Sequence, residues 1–193
     1  MRHVHAFEDD ALGELDAVAL ADAIKTGRLG RVEAAEAAIA RTEAVNAALN
    51  GLVRQAFDQA CAKASERGAD GEFFAGVPTF VKDSVDVAGL PTMQGTDAWA
   101  PLAAATDSEV TRLYLATGLI SLGKTQLPEF GLGASAEHPR LESVCNPWTP
   151  TTPPGAPHRA RPRWSPPVRC RSRMATTAVA RSVFRLPATG WWD

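Results

Sequence analysis

The sequence predicts an α/β fold, with a layer of helices at the N-terminal end followed by a sheet whose strands alternate with helices. Three observations predict it. Residues 17–67 carry apolar residues at helical spacing, punctuated by capping residues and glycines. Two short apolar runs, at 77–82 and 119–122, read as buried strands with a helical pattern between them. The 193 residues are 45% hydrophobic and 22% charged, enough for one globular domain with a sizeable core.

Asp16 has the chemistry of an N-cap. Leu15 and Leu20 stand where a hydrophobic staple needs them, and Gly27 is a stop, so the first helix covers 17–26. Val32, Ala35 and Ile39 recur at helical spacing, with Glu33, Glu36 and Arg41 among the polar positions, which predicts a helix over 31–46. A third helix is expected over 53–67, ending in the loop Glu66-Arg-Gly-Ala-Asp-Gly-Glu72. Val77 to Val87 reads as a strand entering a loop. Thr106-Asp-Ser-Glu109 has the form of a capping box. Val110, Leu113 and Thr117 share one face of the helix that follows, which ends near Gly118. Leu119–Leu122 is a short buried strand. No internal repeat is visible.

Composition divides the chain in two. Residues 1–149 carry 21 acids against 12 Lys plus Arg, a balance of −9; residues 150–193 carry eight Arg, no Lys and one acid, a balance of +7. The second part also holds eight of the 14 prolines and three of the five tryptophans. Such composition does not build a core, so a folded part, 1–149, and a disordered Arg/Pro-rich tail, 150–193, are expected. The net charge of −2 gives no reason to expect nucleic acid or anionic membrane as a partner. No apolar run approaches a membrane span, and the first ten residues lack the apolar stretch of a secretory leader. Cys61, Cys145 and Cys170, odd in number and far apart, fit a reducing cytoplasm rather than a disulfide framework or zinc ribbon.

Two segments invite a chemical reading. Gly118-Leu-Ile-Ser-Leu-Gly-Lys124-Thr125 matches the pattern of a phosphate-binding loop. That loop needs a strand before its first glycine and a helix starting at its lysine. Here a helix precedes Gly118, the apolar residues read as strand, and Pro128 follows closely, so a nucleotide hydrolase is the weakest reading. Lys82, at the end of the apolar Phe80-Val81 run, could be desolvated enough to act as a base. The bland alternative is a solvated lysine paired with Asp83. His3, His5 and His138 form no ligand spacing with any cysteine, and no metal or cofactor is called for.

Several blocks together resemble the amidase signature family in order and spacing. They are Gly76-Val-Pro-Thr-Phe-Val-Lys82-Asp83, Gly89-Leu-Pro-Thr92, Gly95-Thr96, Asp107-Ser-Glu-Val110, Gly123-Lys124-Thr125-Gln-Leu-Pro-Glu129-Phe130 and Asn146-Pro147-Trp148. The likeness runs from about Leu12 to Trp148 and is especially close to the mycobacterial-type amidases. It implies a mixed sheet flanked by helices, of which this chain carries the N-terminal part. It also implies hydrolysis of carboxamide C–N bonds through a Ser–cis-Ser–Lys triad without a cofactor, with Lys82 as the triad lysine and a small amide as substrate. Lys124 would then be structural. The resemblance leaves homo-oligomer formation open.

The chain departs from the family after Trp148. The Gly/Ser-rich stretch holding the bridging serine and the later turn holding the nucleophile are both absent. Ser165, Ser172 and Ser182 lack the glycine neighbours that a nucleophile turn and oxyanion loop need. Codons built from the last base of one residue and the first two of the next restore the family text. Thr149–Pro157 can encode PDYTAGGS, and Arg173–Arg185 can encode HGNDGGGSIRIP. Residues from about 150 to 193 are therefore expected to be an out-of-frame translation. The product should be inactive, with uncovered strand edges and apolar faces. A non-enzymatic binding or regulatory fragment is the alternative, without a positive motif.

Overall fold

The computed structural model describes residues 4, 6, 9–66, 68, 71–133, 136–138 and 141–145. His3, His5, Cys170, Ser165, Ser172, Ser182, the Asn146-Pro147-Trp148 block and the whole segment 150–193 lie outside the described residues.

Helix α1 spans Ala17–Lys25. The Asp16 carboxylate accepts from the N–H groups of Val18 at 3.0 Å and Ala19 at 2.8 Å. The helix ends in a Schellman turn: Gly27, at φ +71°, donates to Ile24 O, and Arg28 donates to Ala23 O. Leu15 packs against the core cluster that contains the buried Leu20. Helix α2 spans Arg31–Leu49, three residues beyond the expected end. Glu33 reaches back to the Gly30 N–H at 3.3 Å. The helix stops at Asn50, which is left-handed at φ 52°.

The expected helix over 53–67 is two elements. Strand β1 covers Leu52–Gln55, and helix α3 covers Phe57–Ser65. The cause lies in the turn before them. The Asn46 carboxamide oxygen accepts from the N–H groups of Gly51 at 3.1 Å and Leu52 at 2.9 Å, and Gln126 donates to Asn50 O at 2.8 Å. These bonds turn the chain out of α2 and hold 52–55 extended against a distant strand.

Strand β2, Pro78–Lys82, and strand β3, Ile120–Thr125, flank helix α4, Glu109–Leu115. The sheet order is β1-β3-β2, with β1 antiparallel and β2 parallel to β3. A 3-10 turn at Glu129–Gly131 follows, then a hairpin of β4, Glu137–His138, and β5, Glu142–Ser143. The N-cap of α4 is Ser108, which accepts from Thr111 N, rather than Thr106. The face of α4 that carries Val110 and Leu113 is largely open, with the two residues 65% and 56% exposed. Thr111 turns inward instead and donates to Asp86 O at 2.6 Å.

The main core lies between α2 and one face of the sheet. Ala34, Ala35, Ala38, Val45 and Leu49 of α2 meet Phe80, Ile120 and Leu122, with Ala60 and Ala64 of α3 and Leu20 of α1 around them. Alanines along α2 let backbones approach closely, as packing at interior density demands. A smaller cluster, Ala56, Val81, Val87 and Leu90, occupies the other face of the sheet. Arg41, expected among the polar positions of α2, is buried: its guanidinium grips Asp10 through two nitrogens and donates to Gly13 O at 2.9 Å. This pair ties the segment before α1 to the middle of α2.

Candidate active site

Strands β2 and β3 run parallel and end together, at Lys82 and Thr125. The crevice beyond the carboxyl ends of parallel strands is where open α/β sheets bind ligands. Lys82 is half-buried there, and among the described residues its ammonium makes no hydrogen bond or ion pair. The neighbouring Asp83 does not neutralise it, contrary to the bland reading of the Lys82-Asp83 pair. Successive side chains on a strand face opposite ways. Lys82 follows Phe80 on the side of the main core, whereas Asp83 follows Val81 to the other side.

Asp83 pairs instead with Lys124. The Lys124 ammonium lies 2.6 Å from Asp83 Oδ1, 2.6 Å from Thr92 Oγ1 and 2.9 Å from Pro91 O, with the lysine side chain 0% exposed. Asp83 Oδ2 accepts from Met93 N at 3.2 Å. Burial pushes the Asp83 carboxyl above the usual carboxylate range, outweighing the Lys124 hydrogen bond and charge, the Met93 N–H and the charge of Arg54.

A bulge brings Lys124 to this face. Thr79 lies opposite Ser121, but Val81 lies opposite Lys124, so β3 carries one residue more than β2 over this stretch. Without the extra residue Lys124 would follow Ile120 and Leu122 into the apolar core. With it, the side chain turns to the Asp83 side, the re-aiming that bulges provide. Gly123 makes the bulge, at φ +146°. A Cβ there would collide with Arg54 O and sit 3.3 Å from Gln55 Cα. Residues 120–125 are thus strand, and the Gly118–Thr125 match is not a phosphate cradle: its lysine is held by Asp83 in the interior.

The loops beyond the strand ends are bound to each other. Gln94 donates to Asp83 O at 3.1 Å, and Phe130 donates to Gln94 O at 2.7 Å. Both Gln94, at φ 49°, and Phe130, at φ 52°, are left-handed, an uncommon state for such residues that clusters at functional sites. Thr96 donates to Glu129 Oε1 at 2.6 Å, and the rings of Trp99 and Phe130 meet at 5.5 Å. Among the described residues, no three His, Cys, Asp or Glu side chains gather as a metal site, and no helix is long and apolar enough to cross a membrane.

The amidase family model matches residues 33–156, a stretch that takes in β1 to β5 and every residue of this site. The chain belongs to the amidase signature family. It is 66% identical over 148 residues to the protein named "Putative amidase AmiC" of Mycobacterium tuberculosis, covering 77% of this chain and 31% of that relative. It is 35% identical over 140 residues to the indoleacetamide hydrolase of Bradyrhizobium diazoefficiens, covering 69% of this chain and 27% of that one. Among solved structures, 6-aminohexanoate cyclic dimer hydrolase matches with a TM-score of 0.71 at 26% identity, over 91% of this chain and 33% of that chain. The chain therefore spans about a third of the length of these family members. The mixed sheet flanked by helices expected from the sequence is the fold it shares with them.

Lys82 and Lys124 were both visible in the sequence as candidates. The partnership of Lys124 with Asp83, Pro91 and Thr92 was not, because those residues lie some thirty to forty positions away. One local signal pointed towards it: a glycine inside a strand pattern suggests a bulge.

Proposed function

We propose that this chain derives from an amide hydrolase in which Lys82 serves as the proton acceptor of a Ser–cis-Ser–Lys triad. The observation that carries the reading is the half-buried Lys82 amine at the carboxyl end of β2, without a counter-charge among the described residues because Asp83 is held by Lys124 on the opposite face. An amine of that kind can accept a proton, provided it is neutral when substrate binds. In the complete enzyme Lys82 takes a proton from the bridging serine. That serine in turn takes one from the nucleophilic serine, which attacks the carboxamide carbon. The amine or ammonia leaves with a proton returned along the same relay, and water releases the acid. Membership of the amidase signature family supports this chemistry, and the carboxamide in the name of the indoleacetamide hydrolase supports the substrate class.

The same proposal holds that the two serines are encoded in the other reading frame from about residue 150, so the 193-residue product does not hydrolyse amides. The open apolar residues Val110, Leu113, Leu102 and Leu132 support this, since a family-length chain would have further elements to lay over them.

The test is to sequence the gene across the codons for residues 145–160, restore the frame and measure ammonia release from simple carboxamides. The restored enzyme should hydrolyse them, and Lys82→Ala should lower kcat by about 10²–10⁴-fold. The 193-residue chain should not react with a fluorophosphonate probe. A restored enzyme indifferent to Lys82→Ala removes the base assignment, and amide hydrolysis by the 193-residue chain removes the claim of inactivity.

A further inference from the structure

We propose that Lys124 is a positioning residue for the Lys82 amine, acting through Asp83 from the opposite face of β2. The inference rests on the reading of Lys82 as proton acceptor. Its starting point is a buried cation that the triad chemistry does not use. Lys124 is 0% and Asp83 2% exposed, and the two meet at 2.6 Å. A pair this deep is a poor device for stability alone, because apolar residues of similar volume commonly do as well or better. What the pair does supply is direction.

Asp83 is held through both its side chain and its backbone. Its carboxylate is held by Lys124 and by Met93 N at 3.2 Å. Its N–H donates to Thr125 O at 3.0 Å, and its C=O accepts from Gln94 N at 3.1 Å. Lys124 also binds Pro91 O and Thr92 Oγ1, so one ammonium gathers the end of β2, the end of β3 and the loop after Gly89. The peptide joining residues 82 and 83 is planar, so an immobile Asp83 sets the orientation of the Lys82 backbone and hence the line along which its amine leaves the strand. Without the ammonium, a carboxylate in this setting must find water or another donor. Any such movement turns the shared peptide and displaces the amine, and displacements of about 1 Å are enough to impair proton transfer.

The 193-residue chain itself allows the test, because it has only four lysines: Lys25, Lys63, Lys82 and Lys124. Competitive acetylation with isotopic acetic anhydride, read by mass spectrometry at each lysine across a pH series, gives the Lys82 rate relative to the exposed Lys25 and Lys63. The variants are Lys124→Met and the double variant Asp83→Asn/Lys124→Met, which removes the unpaired charge but keeps an acceptor for Met93 N–H. In the parent chain Lys124 should label far more slowly than Lys25. Both variants should change the Lys82 to Lys25 ratio by about threefold or more and alter the shape of the Lys82 pH profile, with the Lys63 to Lys25 ratio unchanged.

If Lys124→Met unfolds, its lysines converge on one rate and the double variant decides. A folded double variant with the parental Lys82 ratio and profile overturns the proposal. So does loss of cooperative unfolding in both variants, since that assigns the pair to the fold. Failure of the underlying reading shows separately, as full activity of the Lys82→Ala restored enzyme.

Discussion

Replacing Lys124 by Met keeps most of the side-chain volume and removes the ammonium, so its effect isolates the charge. The change leaves the Asp83 carboxylate without its counter-charge, and the Thr92 hydroxyl and Pro91 O without their donor, at a site where lysine and aspartate are 0% and 2% exposed. Breaking one side of a buried ion pair costs about 3–5 kcal/mol. That is a large fraction of the ~5–15 kcal/mol that holds an ordinary domain. Adding Asp83→Asn removes the orphaned charge, so the double variant should recover most of the loss, with a coupling energy of about 2 kcal/mol or more. The penalty should also depend on pH. Asp83 already lies above the usual carboxylate range, and loss of Lys124 raises it further. A raised folded value favours the folded state below the unfolded value, about 3.9, and that advantage disappears as pH rises through the folded value. The Lys124→Met penalty should therefore be smaller near pH 4 than at neutral pH. Urea unfolding followed by circular dichroism at both pH values measures it, with the slope m checked for constancy. A neutral-pH cost below about 1 kcal/mol, or no recovery in the double variant, would refute the assignment of Lys124 as the counter-charge of a buried carboxylate.

Three further outcomes follow from the same geometry. Gly123→Ala introduces a Cβ against Arg54 O at φ +146°, so it should cost more than about 2 kcal/mol in urea unfolding and expose Lys124 to acetylation, whereas a stable variant with Lys124 still protected would contradict the bulge. Burial pushes the Asp10 carboxyl up, but the Arg41 hydrogen bond, the Gly13 N–H, the Arg41 charge and the Leu12 N–H together hold it below its ordinary value. Its stabilising effect is therefore complete above the unfolded value and lost as pH falls through the folded one; the stability difference between the parent and Asp10→Asn should shrink below about pH 4. Asp16→Ala removes the acceptor for Val18 and Ala19 and should cost about 1 kcal/mol, visible as faster hydrogen exchange confined to the first turn of α1.

The limits of α1 were legible because they are written locally: Asp16 bonds two and three residues ahead, and Gly27 closes a turn on Ile24. Strands β2 and β3 were legible for a similar reason, as compact apolar runs. Strand β1 was not, since Leu52–Gln55 is extended only by pairing with a strand some seventy residues later, and its own sequence is as compatible with helix. Arg41 was misjudged for the same kind of reason. Periodicity counts a charged residue as outward-facing, but its partner Asp10 lies 31 positions away. On α4 the error ran the other way. Val110 and Leu113 have the spacing of a buried face, yet among the described residues nothing covers them, and Thr111 makes the inward bond.

Taken alone, the amino-acid order determined the family, the ends of α1, the strands β2 and β3 and the candidacy of Lys82, because each is carried by residues within a few positions of one another. Tertiary structure decided which face Lys124 takes, what Asp83 binds and why Lys82 has no counter-charge among the described residues. Those outcomes turn on one extra residue in β3 and on contacts spanning about thirty to forty positions, and side-chain direction in a sheet reverses with a single-residue shift in register.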